Sequence, residues 1–428
     1  MRFFIMYDFY TRMADPSLPD EGRLKVNVFD ESQGMPIPNA EVKITPRGDH
    51  LHILDTEVTG ESGEAPTVNL AAPSIDLSMD SDNDYERPYS EYDVIVSAPG
   101  RRDVLVEGVQ ILPHSTAQQN IIMHSSEIDS SPETIIIPDN TLWGHFPPKV
   151  YEDEVKELPP SSGFVVLPEV VVPEFIVVHG GHPTNRNAPK YWVPFKDYIK
   201  NVASSEIYAN WPTETLKANI LAIISFTLNR VFTEWYRNQG HDFTITNSTA
   251  VDQAFTQGRN IFTEISDVVD NLFNTYITRP NIRQPLFAQY CDGRRVTCPN
   301  WLSQWGSKYL GDQGYDAVSI LRRYYGSDIY LANAPKVAGV PSSFPGTPLQ
   351  TGSSGAEVRM IQEQLNTISN NFPAIPKIRV DGAFGEETRN AVLTFQRIFN
   401  MPQSGIVDFP TWYRISGIYV AVARLATL

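Results

Sequence analysis

Residues 381–396 read Asp-Gly-Ala-Phe-Gly-Glu-Glu-Thr-Arg-Asn-Ala-Val-Leu-Thr-Phe-Gln, and this stretch predicts a turn followed by an amphipathic helix. Asp381, Gly382 and Gly385 are turn-forming residues, so Phe384 stands just before the helix. An inward-facing stripe at helical spacing then follows, formed by Thr388, Ala391, Val392 and Phe395. A second such stripe lies upstream, at Val358, Ile361, Gln362, Leu365 and Ile368. Together the two stripes predict a small bundle of three helices.

The pattern D-G-x-F-G-x-x-T-x-x-A-V-x-x-F-Q resembles the peptidoglycan-binding type 1 module, and the resemblance extends from about residue 349 to residue 415. It includes the entry segment 352–366 and the exit segment 404–412. The resemblance implies that the bundle binds cell-wall peptidoglycan. Most of the apolar positions are expected to form the core, whereas the turn around Asp381 and Phe384 is expected to be exposed and to contact the ligand. The predicted wall-binding residues are Asp381, Phe384, Thr388, Phe395 and Gln396.

The composition of the chain argues against some classes of binding partner. The chain has 428 residues and a formal net charge of −16, which argues against nucleic acid and anionic membranes as partners. Peptidoglycan is also anionic, so glycan binding must rely on pockets and stacking. No run of about 18 apolar residues predicts a membrane span. The segment 1–10 carries Asp8 and lacks a small-residue cleavage site, so it is not expected to be a secretion signal.

Alternating apolar and polar residues between positions 22 and 124 predict short strands separated by tight turns. We expect a β-sandwich of about seven strands in residues 1–124. The patterns G-x-L-x-V-x-V and P-I-x-N-A-x-V resemble transthyretin-like, carboxypeptidase-regulatory-like modules. No catalytic constellation is visible there, so a structural or regulatory role is predicted.

Residues 125–175 are rich in proline, for example at Pro147, Pro148, Pro159 and Pro160, and they predict an extended, accessible linker. Accessible linkers are preferred sites of proteolysis, so the segment is either an inert spacer or the place of a regulatory cut. A second linker is predicted at residues 336–348, and the wall-binding module at 349–428.

Residues 176–335 predict an α+β domain. Helices are expected at 195–206, 214–237, 259–277 and 317–325, with Thr213 capping the second helix and Gly240 ending it. A strand is expected at 286–290.

Glu206 is the first candidate for chemistry. Ile199, Val202, Ala203 and Glu206 are spaced so that they share one helix face, which places a carboxyl group on an apolar surface. Desolvation raises the pKa of such a group, and a carboxylic acid that stays protonated near neutral pH can protonate a glycosidic oxygen. The alternative is a solvated or ion-paired glutamate at a helix end.

The segments 202–219, 246–253 and 303–306 resemble the SpoIID/LytB domain over about residues 190–330. In that family the matching glutamate is held to be catalytic in lytic transglycosylases of sporulation, whereas LytB-like relatives are described as amidase enhancers. The resemblance therefore implies that Glu206 is the catalytic acid. Residues that could support it are Glu214, Ser248, Thr249, Asp252, Gln253 and Gln304.

A single acid fits a lytic transglycosylase, whereas a hydrolase usually needs a second carboxylate, for which Asp252 and Glu214 are the candidates. Glu214 is favoured as an acid at a helix N-terminus. Some SpoIID-type proteins hold zinc near this region. Here Cys291 and Cys298 have no histidine beside them, so a disulfide or two free thiols are favoured over a zinc site. No cofactor is expected.

The order of sandwich, proline-rich linker, SpoIID-like domain and wall-binding module resembles the clostridial spore cortex-lytic enzymes. That resemblance implies a zymogen in the bacterial spore, made in the mother cell without a signal peptide and located at or outside the cortex. Its expected partners are cortex peptidoglycan and a subtilisin-like activating protease of the Csp type. The alternatives are a non-catalytic wall-binding amidase enhancer and an N-acetylmuramoyl-L-alanine amidase.

Overall fold

Alternating buried and exposed residues between Asp20 and Met123 fold into two β-sheets that share one apolar core. The computed structural model describes residues 18–31, 35–126, 131–157, 167, 169–338 and 344–425. The segment 1–10 and the prolines at 159 and 160 lie outside the described residues. Before position 137 the strands are β1 (Asp20–Asp30), β2 (Glu41–Pro46), β3 (Asp55–Val58), β4 (Val68–Ala72), β5 (Ser90–Ser97), β6 (Val104–Ile111), β7 (Thr116–Met123) and β8 (Glu133–Ile136). A short helix, α1 (Ile75–Met79), follows β4.

Each of the two sheets also contains a strand from outside residues 1–124, the predicted β-sandwich. In the first sheet, β1 pairs antiparallel with β4 and parallel with β7, and β7 then pairs with β13 (Ile261–Phe262). The second sheet has the order β3-β2-β5-β6-β8. Because β13 comes from the central part of the chain, the N-terminal sheets and the central domain share backbone hydrogen bonds.

The central domain is built around a helix that is apolar on nearly all sides. This helix, α3 (Thr213–Phe232), is buried along most of its length, as expected for a helix that other elements surround. The helix α2 (Phe195–Glu206) precedes it, and α4 (Thr263–Leu272), α5 (Gln304–Asp312) and α6 (Ala317–Tyr325) pack around it. The remaining strands are β9 (Val171–Val172), β10 (Phe175–His179), β11 (Lys190–Pro194), β12 (Ile245–Thr246), β14 (Thr275–Thr278), β15 (Tyr290–Cys291), β16 (Leu302–Ser303), β17 (Tyr330–Asn333) and β18 (Lys336–Val337).

The predicted helices at 195–206 and 317–325 are confirmed, but the one at 214–237 ends early. The backbone turns at Glu234, whose φ is 48°, and Gly240 ends only a short 3-10 turn. The reversal carries Trp235 back over the guanidinium of Arg230. The helix therefore does not continue to residue 237, and the Trp235 ring packs on the buried Arg230 guanidinium instead.

The predicted helix at 259–277 is wrong at both ends. Of the predicted strand at 286–290, only Tyr290 lies in a strand, β15. Residues 261–262 pair with β7, and the β-branched segment 275–278 pairs with β17. Only residues 263–272 are helical. The helix ends where its flanking residues pair with strands that are distant in sequence. The local spacing of apolar residues does not reveal such pairing.

The segment 125–175, predicted as an extended, accessible linker, is exposed at many of its described positions but is bound to the rest of the molecule at others. Strand β8 joins the second sheet, and Asn140, Leu142 and Lys156 are buried against the central domain. The segment 158–166 and residue 168 lie outside the described residues.

The C-terminal region contains the three predicted helices, α7 (Ala356–Ile368), α8 (Glu386–Ile398) and α9 (Phe409–Leu425). All five residues of the upstream stripe are buried. The ring of Phe273 in the central domain contacts the rings of Phe409 and Tyr413, so this bundle packs against the rest of the molecule. Within the described ranges, no helix has the length and apolar character that a membrane crossing requires.

Candidate functional site

Glu206 is the last residue of α2, and its side chain is only 2% exposed. The helix face predicted for it is observed, because Ile199, Val202 and Ala203 are buried beside it. Its Oε1 accepts a hydrogen bond of 2.7 Å from the backbone N–H of Ala254. Its Oε2 is buried and has no partner with hydrogen-bond geometry among the described residues.

Burial raises the pKa of the Glu206 carboxyl group above its ordinary value. The amino group of Lys149 and the Ala254 N–H oppose this shift because they favour the ionised form. The result is a carboxyl group that holds its proton to higher pH than a solvated glutamate does.

A cavity of about 70 Å³ adjoins Glu206. Its floor is formed by the central domain, and its cover is formed by residues 141–149 of the predicted linker. The lining residues from the central domain are Glu206, Thr249, Tyr290, Cys291, Asp292, Arg295, Val296 and Gln304, and those from the covering segment are Thr141, Gly144, Phe146, Pro147, Pro148 and Lys149.

Lys149 reaches into this site from the covering segment. Its Nζ donates to the backbone carbonyls of Asp252 and Thr249. Burial lowers the pKa of Lys149, and the nearby carboxylates of Glu206 and Asp252 oppose that shift. A lysine in this position places an amino group of the covering segment close to Glu206.

Gln253 lies behind Glu206 in a buried hydrogen-bond network. Its Oε1 accepts from the Tyr198 hydroxyl at 3.0 Å, and its Nε2 donates to the Tyr290 hydroxyl at 3.1 Å. Gln304 lies on the other side, where its Nε2 donates to the backbone carbonyl of Glu206 at 3.1 Å. The structure therefore brings Gln253 and Gln304 together around Glu206, as it also does Thr249.

Asp252 is engaged elsewhere. Its Oδ1 accepts from Arg230 Nε at 2.9 Å, and its Oδ2 accepts from the Tyr236 hydroxyl and from both the backbone and the hydroxyl of Thr246. Asp252 is fully buried, and its side chain does not line the cavity. This carboxylate anchors Arg230, and the geometry does not favour it as a second catalytic carboxylate.

Glu214 and Ser248 also lie outside the cavity lining. Glu214 stands in the first turn of α3, where it accepts from Lys217 and from the backbone of Ala317, and the hydrogen bond from Lys217 lowers its pKa. Ser248 closes a turn, because its carbonyl accepts from the backbone N–H groups of Val251 and Asp252. Glu214 therefore occupies the helix N-terminal position that the sequence favoured.

Cys291 and Cys298 form a disulfide with their Cα atoms 5.8 Å apart. A disulfide was one of the two states that the sequence favoured. Oxidised sulfurs are not thiolate ligands, so the alternative of a zinc site at these cysteines is not supported.

The exposure predicted for the turn around Asp381 and Phe384 is observed at Asp381 but not at Phe384. Phe384 is 2% exposed, and Thr388, Phe395 and Gln396 are buried as well, while Asp381 stays exposed. Gln362 Nε2 donates to Asp381 Oδ1, the Ala383 carbonyl and Thr388 Oγ1, and Gln362 Oε1 accepts from the backbone N–H groups of residues 381 and 382.

Gln396 repeats this arrangement at the next turn. Its Nε2 donates to Ser404 Oγ, the Ile406 carbonyl and Thr411 Oγ1, and its Oε1 accepts from the backbone of Gly405. The motif residues therefore hold the two turns in place, and four of the five predicted wall-binding residues belong to the core.

Sequence reasoning missed Lys149 and Tyr290. Tyr290 could have been singled out as a phenol next to Cys291, but nothing in the sequence connects it with Glu206. Lys149 follows two prolines in the predicted linker and has no motif around it.

Two family models match the chain. Residues 187–274 match SpoIID, the stage II sporulation protein family, and residues 354–415 match PG_binding_1, a peptidoglycan binding domain. Neither model spans half of the chain. The chain thus contains a SpoIID domain and a peptidoglycan-binding type 1 domain, which together indicate a cell-wall-degrading protein of sporulation.

No curated protein matches this chain. Among solved structures, the Bacillus anthracis TIE protein is 18% identical, with 25% of this chain and 16% of that chain covered and a TM-score of 0.17. Wild-type catechol 1,2 dioxygenase of Acinetobacter radioresistens is 14% identical, with 27% and 54% covered and a TM-score of 0.17. This chain thus spans about half or less of those chains. Likenesses at such TM-scores carry no argument about function.

Proposed function

We propose that this chain is the zymogen of a spore cortex-lytic enzyme of the SleC type, a lytic transglycosylase that degrades cortex peptidoglycan during germination. The observation that carries the proposal is the buried carboxyl group of Glu206, which has a raised pKa and lies beside a cavity within the SpoIID domain of a chain that also has a peptidoglycan-binding domain.

The chemistry needs only one carboxyl group. Glu206 would give its proton to the oxygen between N-acetylmuramic acid and N-acetylglucosamine, so that the glycosidic bond breaks. The resulting carboxylate would take the proton of the muramic acid C6 hydroxyl as that oxygen bonds to C1, and a 1,6-anhydro sugar forms without water. Because Asp252 is bound by Arg230 and Glu214 lies at the start of α3, neither supplies the second carboxylate that hydrolysis usually requires.

The covering segment supports the zymogen part of the proposal. Thr141 N–H donates to the Ser205 carbonyl, and Asn140 Nδ2 donates to the Ser204 and Ile207 carbonyls, so the segment is bound to the end of α2 on both sides of Glu206. The cavity that remains, about 70 Å³, is far below the roughly 300–1,000 Å³ of small-molecule sites. A disaccharide would enter only after this segment leaves, which is the step that we assign to the Csp-type protease.

The test is mass spectrometry of the muropeptides that the protease-treated protein releases from cortex. Anhydro-muramic ends are expected, and they should disappear in Glu206→Gln while binding to the wall is retained. Glu214→Gln is the matched control, because it makes the same change at a carboxylate outside the cavity, and its release should equal that of the wild type.

Other products would contradict the proposal in distinct ways. Reducing ends would mean hydrolysis, free peptides with intact glycan would mean an amidase, and no release would favour the amidase enhancer. Release by the intact chain at the rate of the treated one would refute the inhibitory role of the covering segment.

A further inference from the structure

The Oε2 atom of Glu206 is a buried acceptor for which the described part of the chain supplies no hydrogen-bond partner. The Tyr290 side chain lines the same cavity as Glu206, and its hydroxyl accepts from Gln253, the neighbour of the Ala254 whose N–H binds Glu206. Buried polar atoms are nearly always hydrogen-bonded, so an unmatched carboxylate oxygen that shares a cavity with a hydroxyl identifies a contact that forms when the carboxylate carries its charge.

The orientation of the neighbouring amide determines where the Tyr290 hydrogen points. The Ile223 carbonyl can only accept, so the nitrogen of the Gln253 side chain must face it, at 3.2 Å. The second hydrogen on that nitrogen goes to the Tyr290 oxygen at 3.1 Å. The Tyr198 hydroxyl donates to the amide oxygen, which agrees with this orientation. Tyr290 is therefore an acceptor toward Gln253, and its own hydrogen is free for Glu206.

We infer that Tyr290 is a positioning residue that donates a hydrogen bond to Glu206 Oε2 in the ionised state and thereby sets the pH at which the acid gives up its proton. The inference deepens the proposed function and rests on it for the role of Glu206. No covalent step involves Tyr290, which keeps its proton throughout. Burial raises the pKa of the Tyr290 hydroxyl well above its ordinary value, with the Glu206 carboxylate adding to the shift.

The other charged groups around Glu206 do not replace this donor. Lys149 faces the carboxylate from the covering segment and would leave with it. Asp292 and Arg295 line the cavity, and Arg295 donates to the carbonyls of Trp143 and Gly144 in the same segment. Arg230 and Asp252 are paired with each other, and the Tyr198 hydroxyl points to Gln253. Once the segment has left, Tyr290 and the Ala254 N–H remain as the donors to Glu206.

The test follows the protonation of Glu206 in the intact chain by NMR of ¹³C-labelled glutamate carboxyl groups, with the Glu206→Gln spectrum assigning the signal. In Tyr290→Phe the pH midpoint of the Glu206 titration should move about one pH unit upward, because the charged form of Glu206 loses a hydrogen-bond donor. This equals about a tenfold change in the acid dissociation constant. Tyr325→Phe is the matched control, because this equally buried hydroxyl donates to the Gln289 carbonyl at 2.7 Å. It should leave the midpoint in place.

An unchanged or lowered midpoint in Tyr290→Phe would overturn the inference. If that variant does not fold, Gln253→Met replaces it, because this change removes the donor that orients the Tyr290 hydroxyl. The midpoint of the Glu206 titration should then rise by less than in Tyr290→Phe. No rise would again overturn the inference. The measurement uses no substrate, so it is independent of the reaction. Unaltered glycan release in Glu206→Gln would instead refute the proposed function and leave the role of Tyr290 standing.

Discussion

Two buried carboxylates less than fifty residues apart in sequence have opposite surroundings. Asp252 receives hydrogen bonds from Arg230, Tyr236 and Thr246, whereas Glu206 receives one from Ala254 and keeps an unmatched oxygen. A carboxylate that is fully paired serves structure, and one that is desolvated but poorly matched is available for proton transfer.

Asp252→Asn should therefore destabilise the protein. The change removes the charge that faces Arg230 Nε in a fully buried pair, and breaking such a pair costs about 3 kcal/mol or more. Thermal unfolding measures the effect. Asp242→Asn is the control, because Asp242 pairs with Lys190 at an exposed position, where solvent screens the charges, and its loss should cost much less. Equal losses in the two variants would contradict this assignment.

Gln362→Ala should unfold the C-terminal bundle more easily than Gln364→Ala does. Both glutamines are buried in α7. Gln362 forms hydrogen bonds with five groups of the 381–388 turn, whereas Gln364 Oε1 has no partner among the residues that the structure describes. Leaving those turn groups unmatched should cost about 2 kcal/mol or more. Thermal unfolding and sedimentation with peptidoglycan measure the result. Retained stability and wall binding in Gln362→Ala would count against this role.

At the scale of elements, ion pairs join helix α4 to helix α2. Asp270 pairs with Lys196 and Lys200 of α2, and these lysines keep the pKa of Asp270 well below its usual range despite burial. Asp267 stands one turn earlier, where burial, together with the nearby Asp270 charge, raises its pKa to about 6. The two carboxyl groups therefore respond to pH in opposite directions.

Asp267→Asn should stabilise the protein above pH 6 and have little effect below pH 4. A folded-state pKa raised from 3.8 to about 6 gives stability that is complete below 3.8 and is lost as pH rises through 6. Removing the charge should then recover on the order of 1 kcal/mol near pH 7, a figure reduced for partial exposure. Melting curves across pH measure it, and a benefit confined to low pH would contradict the sign.

At the scale of the whole molecule, noncovalent contacts as well as the polypeptide chain join the central domain to the N-terminal sheets and to the covering segment with the residues that follow it. Strand β13 extends the first sheet, and Gln110 and Asn260 exchange hydrogen bonds across the boundary. Glu152, in the segment 150–157 that follows the covering segment, binds the guanidinium of Arg230 through both carboxylate oxygens. A cut in the chain would therefore not by itself break these contacts.

A protease site introduced between residues 158 and 166 should give two fragments that still elute together in size-exclusion chromatography. Glu152→Gln should weaken their association about tenfold or more, because it removes a charge that Arg230 and Lys156 share. Glu157→Gln is the matched control, an exposed glutamate of the same segment. Immediate separation of the wild-type fragments would show that the cut alone releases the site.

The sequence by itself determined the parts that local pattern controls. The stripes of α7 and α8 predicted the C-terminal helices, and the spacing from Ile199 to Glu206 predicted a carboxyl group on a buried face. The tertiary structure decided what depends on contacts distant along the chain. Tyr290 and Lys149 meet Glu206 from 84 and 57 positions away, by their residue numbers, and β13 takes its partner from the N-terminal sheet. Such contacts have no period in sequence, because the partner lies outside any local window, so only the folded chain reveals them.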